Sequence, residues 1–368
     1  MMKFIESNLH VYDVVVIGGG LSALVLASEL FDSGVRKICL IERESALGGN
    51  LRFASGRWPY AEESCGSDGL THKRICNHIE SMVKGISERN IKVYANTAAL
   101  RISKVRNVLT SSADGVFSRF HAKVIVICTG ARELSRGEIG IPGFRPSGVL
   151  TAGAMQRLVY EKRIDSGSKS VIIGSNRLAW TVAELLHGRG DDVACIMESA
   201  SEPLFDIESD AAAATDDALL YMAKSKLLLN TSCTQILGAE RVEGVNYETK
   251  NGFGNIERGR IDCDNIVISC GFNPETELAE KSRIGISEKT NGIAVDKNFM
   301  TASKWVFAIG DAIGIHEELI DIVEEAKAAS ECIAKWLDDR RLASMPRFIK
   351  ARKLLSAKLS PLRRFKGR

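Results

Sequence analysis

The sequence lacks any long apolar run and any closely spaced cysteine pair. No stretch of about 18 uncharged apolar residues occurs, so no membrane-spanning helix is predicted. The nine cysteines among the 368 residues are scattered, and neither a C-x-x-C pair nor the spacing of a zinc or iron–sulfur site occurs. This cysteine usage is typical of a reducing compartment and predicts a cytoplasmic protein without a metal site. The N-terminus also lacks the apolar core of a signal peptide, so no cleaved leader is expected.

Acidic residues are missing from the end of the chain. From Arg340 to Arg368 there are eleven Lys or Arg and no Asp or Glu, whereas the whole chain carries a formal charge of +3. The rest of the chain is therefore net acidic, and no nucleic-acid partner is expected. Apolar residues alternate with the basic ones in this tail, as in segments that lie on the inner membrane face or dock on an acidic partner. A solvated extension is the alternative, and the sequence leaves the choice open.

A glycine-rich turn between an apolar strand and a helix lies near the start of the chain. Val14–Ile17 predicts a buried strand, and the run Gly18–Ala23 follows it. Gly18 permits a tight turn, Gly20 lets the backbone approach a diphosphate, and the small Ala23 lets the helix pack on the strand. The helix start offers free N–H groups and a positive dipole end to the anion. The segment therefore predicts a dinucleotide-binding turn.

Two acids lie at the same distance from two such turns. An apolar strand ends at Glu42, which lies 19 residues after Ala23, where a carboxylate accepts hydrogen bonds from an adenosine ribose. A second strand, turn and helix start occupy residues 170–179, with Gly174 in the turn. The next apolar strand ends at Glu198, again 19 residues after the small residue Ala179. The repeated interval predicts two Rossmann-type units in one chain.

The second turn departs from the glycine pattern. Asn176 stands where a glycine would leave room for the diphosphate, two residues after Gly174. Arg177 could contact a phosphate instead, and Glu198 would favour NADH over NADPH. The alternative is a retained scaffold that no longer binds a nicotinamide nucleotide. The residues assigned to this second nucleotide site are Gly174, Asn176, Arg177, Glu198 and Gly271.

The order of these motifs resembles that of the pyridine nucleotide-disulfide oxidoreductases, and especially of their thioredoxin-reductase-like branch. The resemblance covers roughly residues 10–338 and adds Gly48-Gly49, Thr129-Gly130 and Gly310-Asp311 to the two turns. It implies an α/β fold with two Rossmann-like, three-layer ββα dinucleotide-binding domains, the second inserted into the first. The segment 130–156 resembles FAD subunits of amine and amino-acid dehydrogenases, of hydrogen cyanide synthase and of sarcosine oxidase.

The resemblance implies FAD at the first turn and leaves NAD(P)H at the second turn open. It assigns Asp311 to the ribityl or diphosphate region, and it directs the following helix N-terminus at the flavin, where the helix dipole stabilises the reduced form. The predicted FAD-binding residues are Gly18, Gly20, Leu21, Ser22, Ala23, Glu42, Arg43, Gly49, Asn50, Thr129, Gly130, Gly310, Asp311 and Ile320.

The missing cysteines shape the expected chemistry. Asn50–Phe53 follows Gly48-Gly49, where the glutathione-reductase type carries its redox disulfide. Cys65 and Cys76 are eleven residues apart, and two unrelated thiols are the simpler interpretation.

We therefore expect an FAD-dependent oxidoreductase without a redox-active disulfide, which passes hydride or electrons from a small organic donor or NAD(P)H to a further acceptor. The alternative is an FAD-binding electron-transfer subunit that works only within a larger dehydrogenase complex. The expected partners are a small-molecule substrate and a partner subunit or electron acceptor.

Further residues are candidates for the chemistry of the substrate. His316 lies five residues after Asp311, and a neutral imidazole there could take a proton from a substrate amine. An ordinary loop histidine is the alternative. The segment after Gly48-Gly49 could hold an anionic substrate through Arg52, Arg57, Trp58 and Tyr60, with a surface loop as the alternative.

The motif order also predicts the domain bounds. The FAD-binding domain is expected over residues 1–147 and 273–338, the NAD(P)-binding-like domain over 148–272, and the basic amphipathic tail over 339–368. Proline-containing segments at 134–148 and 271–276 would make the two crossings. We also expect helices over 208–230 and 317–338 and a hairpin around Asn251-Gly252.

Overall fold

The computed structural model describes residues 8–54, 75–161, 168–205, 225–250, 252 and 254–344. The strands are β1 (Asn8–Ile17), β2 (Ile38–Ile41), β3 (Lys92–Tyr94), β4 (Thr97–Ile102), β5 (Asn107–Ser112), β6 (Phe117–Ile127), β7 (Ala131–Glu133), β8 (Val149–Thr151), β9 (Lys169–Ile173), β10 (Asp192–Met197), β11 (Leu227–Leu228), β12 (Thr231–Leu237), β13 (Gly244–Lys250), β14 (Ile256–Asp262), β15 (Asn265–Ile268), β16 (Phe272–Pro274) and β17 (Val306–Ala308). The α-helices are α1 (Leu21–Asp32), α2 (Ile75–Glu88), α3 (Arg136–Ile139), α4 (Ala152–Tyr160), α5 (Arg177–Gly188), α6 (Glu277–Lys281) and α7 (Leu319–Ser344), and Gly49–Phe53 and Gly310–Ala312 form 3₁₀ helices.

The first sheet has the strand order β3-β2-β1-β6-β5-β4, with β17 beside β6. The pairs β1–β2, β2–β3, β1–β6 and β6–β17 are parallel, whereas β4, β5 and the first half of β6 form an antiparallel meander. The continuous apolar run Val14–Ile17 lies at the centre of this sheet and is buried on both faces, as parallel strands require. Val14 and Val16 pack under α1 and α7, and Val15 and Ile17 face the opposite core.

The second sheet is entirely parallel, in the order β11-β10-β9-β15-β8. The meander β12-β13-β14 covers one face of it, and helices α4 and α5 cover the other. The hairpin expected around Asn251-Gly252 corresponds to the antiparallel pair β13 and β14. Strand, turn, helix and strand thus occur twice, as the repeated interval predicts.

Two antiparallel segments connect the sheets. β7 leaves the first sheet and β16 returns to it, and the two pair with each other. The Thr129 hydroxyl donates to the Glu275 carbonyl at 2.7 Å, and the Glu275 N–H donates to the Gly130 carbonyl at 2.9 Å. The second unit therefore lies within the first in chain order, and the predicted fold class of two Rossmann-like units with one inserted is confirmed.

Two sequence-based helix predictions need correction. Leu227–Leu228, inside the helix predicted over 208–230, is a strand that pairs with β10, and residues 206–224 lie outside the described residues. A short apolar run without a clear period does not distinguish a helix from a buried strand. The last helix continues to Ser344 instead of ending at 338, and the rest of the basic tail lies outside the described residues. No helix of the described part is long and apolar enough to cross a membrane.

The two glycine turns share one backbone geometry. Gly18 and Gly174 have φ of +107° and +97°, and a Cβ on them would lie 2.2 Å and 2.1 Å from the carbonyl oxygens of Cys128 and Ser269. Only glycine therefore fits either turn.

We expect Gly18→Ala to lower the free energy of unfolding by at least about 2 kcal/mol, because it adds a clash to the cost of a positive φ. Gly34→Ala is the matched control, since Gly34 has φ +105° but nothing lies within 4 Å of its Cβ position. Urea unfolding of both variants measures the difference. Equal losses at the two positions would show that the close approach to Cys128 has no energetic consequence.

Candidate functional site

The start of α1 faces open space. Its N-cap residue Gly20 has φ −78° and ψ −171°, and no side chain caps the helix. A Cβ placed on Gly20 would meet nothing within 4 Å. The first N–H groups of a helix have no partner within the helix and favour an anion. The turn thus offers the space and the donors that a diphosphate needs.

Backbone segments from distant parts of the chain meet at this turn. Gly48 donates its N–H to the Gly19 carbonyl at 2.7 Å. A Cβ on Gly49 would lie 3.1 Å from the Gly20 Cα, and one on Gly310 would lie 2.2 Å from the Ser22 Oγ. The structure therefore brings together four predicted glycine positions, namely Gly18, Gly20, Gly49 and Gly310.

Glu42 lies beside the same turn and is 7% exposed. Its Oε1 accepts the Glu44 N–H at 2.7 Å, whereas Oε2 accepts no hydrogen bond from a described residue. A Cβ on Gly19 would lie 2.9 Å from that Oε2, so the carboxylate lies against the bare glycine turn. One oxygen of Glu42 thus remains available as an acceptor for a ribose hydroxyl.

The other predicted residues of this site lie in different surroundings. Leu21 and Ala23 lie in the first turn of α1, and their side chains are buried in the core, so only their backbone can face the glycine turn. Arg43 and Asn50 are exposed, and Ile320 is half-buried in the first turn of α7. Thr129 and Gly130 hydrogen-bond the returning segment at Glu275, which gives them a structural role at the crossing.

Side chains fill the second turn. The Asn176 Oδ1 accepts the Ala179 N–H at 3.0 Å and the Ser269 hydroxyl at 2.6 Å, so Asn176 caps α5 itself. Ser175 replaces the middle glycine of the first turn, and its N–H and hydroxyl donate to the Glu198 Oε2 at 3.1 and 2.6 Å. The Ala179 N–H at the start of α5 and the Glu198 carboxylate, which a diphosphate and a ribose would use, are therefore already paired within the protein.

Two further residues of the second site have structural partners. Arg177 lies over the Phe205 ring at 4.7 Å and approaches the Glu318 Oε1 at 3.3 Å, so it links the start of α5 to the loop before α7. The other Glu198 oxygen accepts the Ala200 N–H at 2.9 Å. Gly271 has φ +120° at the crossing, where its Cβ position is 3.5 Å from Leu134.

His316 lies between two carboxylates. Its Nδ1 and its backbone N–H both lie 3.0 Å from the Asp311 Oδ1, and its Nε2 lies 3.2 Å from the Glu325 Oε2. The hydrogen bonds to Asp311 and then to Glu325 raise the pKa of His316 to about 10. A ring that keeps its proton at neutral pH is a poor general base. This environment therefore disfavours the predicted proton abstraction, and a catalytic role for His316 remains a prediction.

Glu325 was not predicted from the sequence. On the side of α7 that packs into the core, Ile322, Ala326 and Ala329 are apolar and buried. Glu325 stands among them, and its Oε1 accepts the Gly310 N–H. An acid on an otherwise apolar helical stripe is the signal that could have found it.

Helix α4 of the inserted unit packs against the 3₁₀ helix that follows Gly48. The Phe53 and Tyr160 rings meet edge to face at 5.4 Å, and Arg157 approaches the Glu44 Oε2 at 3.2 Å. Near this contact two buried donors, the Arg52 Nε and the Gln156 Nε2, have no hydrogen-bond partner in the part of the chain that the structure describes. Buried donors are rarely left unpaired in proteins, so a ligand with acceptor oxygens is a suitable partner for them.

Comparison with known proteins identifies the family. The model of the family described as "Pyridine nucleotide-disulphide oxidoreductase" matches residues 12–331. Dihydrolipoyl dehydrogenase of Manduca sexta is 26% identical over 340 residues, which cover 83% of this chain and 64% of that protein. Sarcosine oxidase subunit alpha of Corynebacterium sp. (strain U-96) is 27% identical over 287 residues, which cover 74% of this chain and 27% of the relative. The chain thus spans less than two thirds of the length of these two relatives.

A solved structure shows the same fold. The crystal structure of T. acidophilum thioredoxin reductase superposes with a TM-score of 0.70 at 19% sequence identity, and covers 89% of this chain and 98% of that one. The chain belongs to the pyridine nucleotide-disulphide oxidoreductase family. This membership confirms the predicted class of FAD-dependent oxidoreductase and FAD as the cofactor of the family, whose members also use NAD(P)H.

We expect Gly20→Ala to retain its fold and to weaken FAD binding by at least about tenfold, because a methyl group would occupy the space in front of the α1 N-terminus. The extended backbone at Gly20 accepts alanine without strain, so the free energy of unfolding should fall by no more than about 1 kcal/mol, the cost of a poorer N-cap residue. Isothermal titration of the flavin-free protein with FAD gives the affinity, and Gly188→Ala is the control. Unchanged FAD affinity would contradict the placement of the diphosphate.

We expect His316→Gln to reduce stability by about 2 kcal/mol near pH 6, because it removes charge-assisted hydrogen bonds. The folded-state pKa of His316, about 10, lies above its ordinary value of 6.5. The contribution is therefore fully present below pH 6.5 and is lost as the pH rises through 10. Urea unfolding between pH 6 and 10, compared with His121→Gln, measures this trend. A difference that does not shrink with pH would show that the ring is not charged.

Proposed function

We propose that the chain is an FAD-dependent oxidoreductase that passes hydride or electrons from a small organic donor to a further acceptor without a redox-active disulfide. The contrast between the two turns is the observation that carries this proposal. Gly20 leaves the α1 N-terminus open, whereas Asn176 closes the N-terminus of α5. The first turn therefore has space for a dinucleotide, whereas the side chains of Ser175 and Asn176 occupy the second turn.

The first turn and its surroundings would hold FAD. The α1 N-terminus would take the diphosphate, the Glu42 Oε2 would accept a ribose hydroxyl, and Asp311 would accept from the ribityl side. The absence of side chains at Gly20 and the acceptor capacity of Glu42 fit this ligand. When bound, FAD supplies the hydride- and electron-transfer chemistry, and the protein supplies its binding, its orientation and the local electrostatics.

The second turn would not accept NAD(P)H in the described arrangement. A diphosphate would have to displace the Asn176 side chain from the Ala179 N–H, and a ribose would have to displace Ser175 from Glu198. Both exchanges give up hydrogen bonds that are already formed at buried or half-buried groups. This cost favours an organic donor over a nicotinamide nucleotide.

The thiols support chemistry without a disulfide. The seven described cysteines are free. Burial raises the pKa of Cys195 and Cys263 to about 12 and of Cys233 and Cys270 to about 11, so these thiols are unreactive at neutral pH. Cys65 and the Cys76 side chain lie outside the described residues.

A donor that carries a carboxylate suits the contact between α4 and the 3₁₀ helix. There the Arg52 Nε and the Gln156 Nε2 have no hydrogen-bond partner among the described residues. A carboxylate accepts from both kinds of donor, and arginine binds it with particular strength. We therefore infer that the donor carries a carboxylate, as an amino acid or a hydroxy acid does, and is held beside the segment that follows Gly48.

A non-autonomous FAD-binding subunit is the second candidate. The similarity to sarcosine oxidase subunit alpha, of which the chain covers 27%, favours it. Such a subunit would bind FAD but would turn over a substrate only with a partner chain. Turnover of the isolated chain with amino acids and a dye acceptor distinguishes the two candidates.

We expect NADH and NADPH to bleach the bound flavin slowly, if at all, under anaerobic conditions, while a suitable amino acid bleaches it rapidly. The Ser175→Gly/Asn176→Gly variant should bind NADH at least about tenfold more tightly than the wild type, because it frees Glu198 and the α5 N-terminus. Replacing the Asn176 cap by glycine costs a few tenths of a kcal/mol for the cap itself, and the loss of the acceptor for the buried Ser269 hydroxyl adds about 1–3 kcal/mol. Stopped-flow absorbance of the oxidised flavin measures both effects.

Gly188→Ala is the control in this titration, because Gly20→Ala is itself expected to weaken FAD binding. Rapid bleaching of the wild type by NADH would show that the second turn opens readily, and the organic donor would lose its main support.

We expect anaerobic dithionite titration to reduce the protein completely with a single two-electron equivalent per flavin, because no disulfide shares the electrons. The Cys65→Ser/Cys76→Ser variant should titrate identically. Uptake of a second two-electron equivalent that this variant loses would identify a redox disulfide and would overturn the proposed mechanism.

A further inference from the structure

A half-buried acid lies close to the turn proposed to bind the FAD diphosphate. The Glu325 side chain is 15% exposed, and its Oε1 accepts the Gly310 N–H. Gly310 in turn lies against the first turn of α1, because its Cβ position is 2.2 Å from the Ser22 Oγ. The Glu325 carboxylate therefore contacts Gly310, and Gly310 in turn contacts the helix start that would face the diphosphate.

The charge of Glu325 also acts on Cys128, the residue whose carbonyl lies against Gly18. Burial, and after it the charge of Glu325, raises the pKa of Cys128. The Cys128 carbonyl lies against Gly18, the first glycine of the turn. An uncompensated carboxylate at this place would repel the negative diphosphate, since partly buried charges are weakly screened.

His316 is the ion-pair partner of Glu325 among the described residues. The ring spans from the Glu325 Oε2 at 3.2 Å to the Asp311 Oδ1 at 3.0 Å, and it is 15% exposed. When both ring nitrogens donate to carboxylates, the histidine is an imidazolium. The two acids and the histidine then carry a net charge of −1 in place of −2.

We propose that His316 is a positioning residue whose positive charge compensates Glu325, so that Glu325 can hold the Gly310 N–H without repelling the FAD diphosphate. This inference rests on the proposed function, because it requires FAD at the first turn. It assigns His316 a role in cofactor affinity instead of proton abstraction. The same bridge fixes the Asp311 carboxylate, since the His316 backbone N–H also donates to Asp311 at 3.0 Å.

The test measures the FAD affinity of the flavin-free full-length chain and of four variants by isothermal titration. His316→Gln should bind FAD on the order of tenfold more weakly, because it exposes the diphosphate to the charge of Glu325. Glu325→Gln keeps an acceptor for the Gly310 N–H and should bind FAD at least as tightly as the wild type. His316→Gln/Glu325→Gln should recover the wild-type affinity to within about threefold.

Glu324→Gln is the matched control, because it removes an exposed carboxylate one residue away on the same helix. Circular dichroism verifies that each variant is folded. If His316→Gln does not fold, Glu325→Gln alone still decides, since a merely structural role for the pair predicts weaker FAD binding by that variant.

The outcomes separate the two proposals. A double variant that binds FAD as weakly as His316→Gln, or a His316→Gln variant with wild-type affinity, would overturn the charge-compensating role while the proposed function stands. A wild-type chain that takes up no FAD would overturn the proposed function, and this inference with it.

Discussion

The N–H groups at the start of α1, which no described side chain caps, are the feature on which the candidate site depends. They remain available because Gly20 carries no side chain and because Gly18 turns sharply against the Cys128 carbonyl. The other segments of the site, at Gly49 and Gly310, approach the same few residues of backbone. A diphosphate bound there is neutralised by main-chain dipoles, which leaves the surrounding side chains to recognise the ribose and the ribityl chain.

The second unit shows how little change is needed to close such a site. Its turn has nearly the same φ at Gly174 and the same close approach to a carbonyl. Two side chains make the difference, because Ser175 pairs with Glu198 and Asn176 caps α5. The inserted unit therefore keeps its fold and its packing against the first unit, while the groups that would bind a nucleotide are engaged within the protein. The same turn geometry thus presents an open helix start in one unit and a capped helix start in the other.

The sequence predicts features that depend on neighbouring residues. Both glycine turns, the strands before them and the acids at Glu42 and Glu198 follow from local patterns, and the structure has them at those places. Glu325 was not predictable in this way, because its role arises only when α7 packs against α1 and brings it to Gly310. Leu227–Leu228 was wrongly predicted as helical, since its pairing with β10 depends on distant residues. The likeness to known oxidoreductases, in turn, does not define the donor.

The most direct measurement is the flavin content of the purified full-length chain after incubation with FAD and removal of the excess. Main-chain capture of the diphosphate at α1 predicts a yellow protein that retains stoichiometric FAD and binds riboflavin, which lacks the diphosphate, far more weakly. A colourless protein, or one that binds riboflavin as tightly as FAD, would contradict the account.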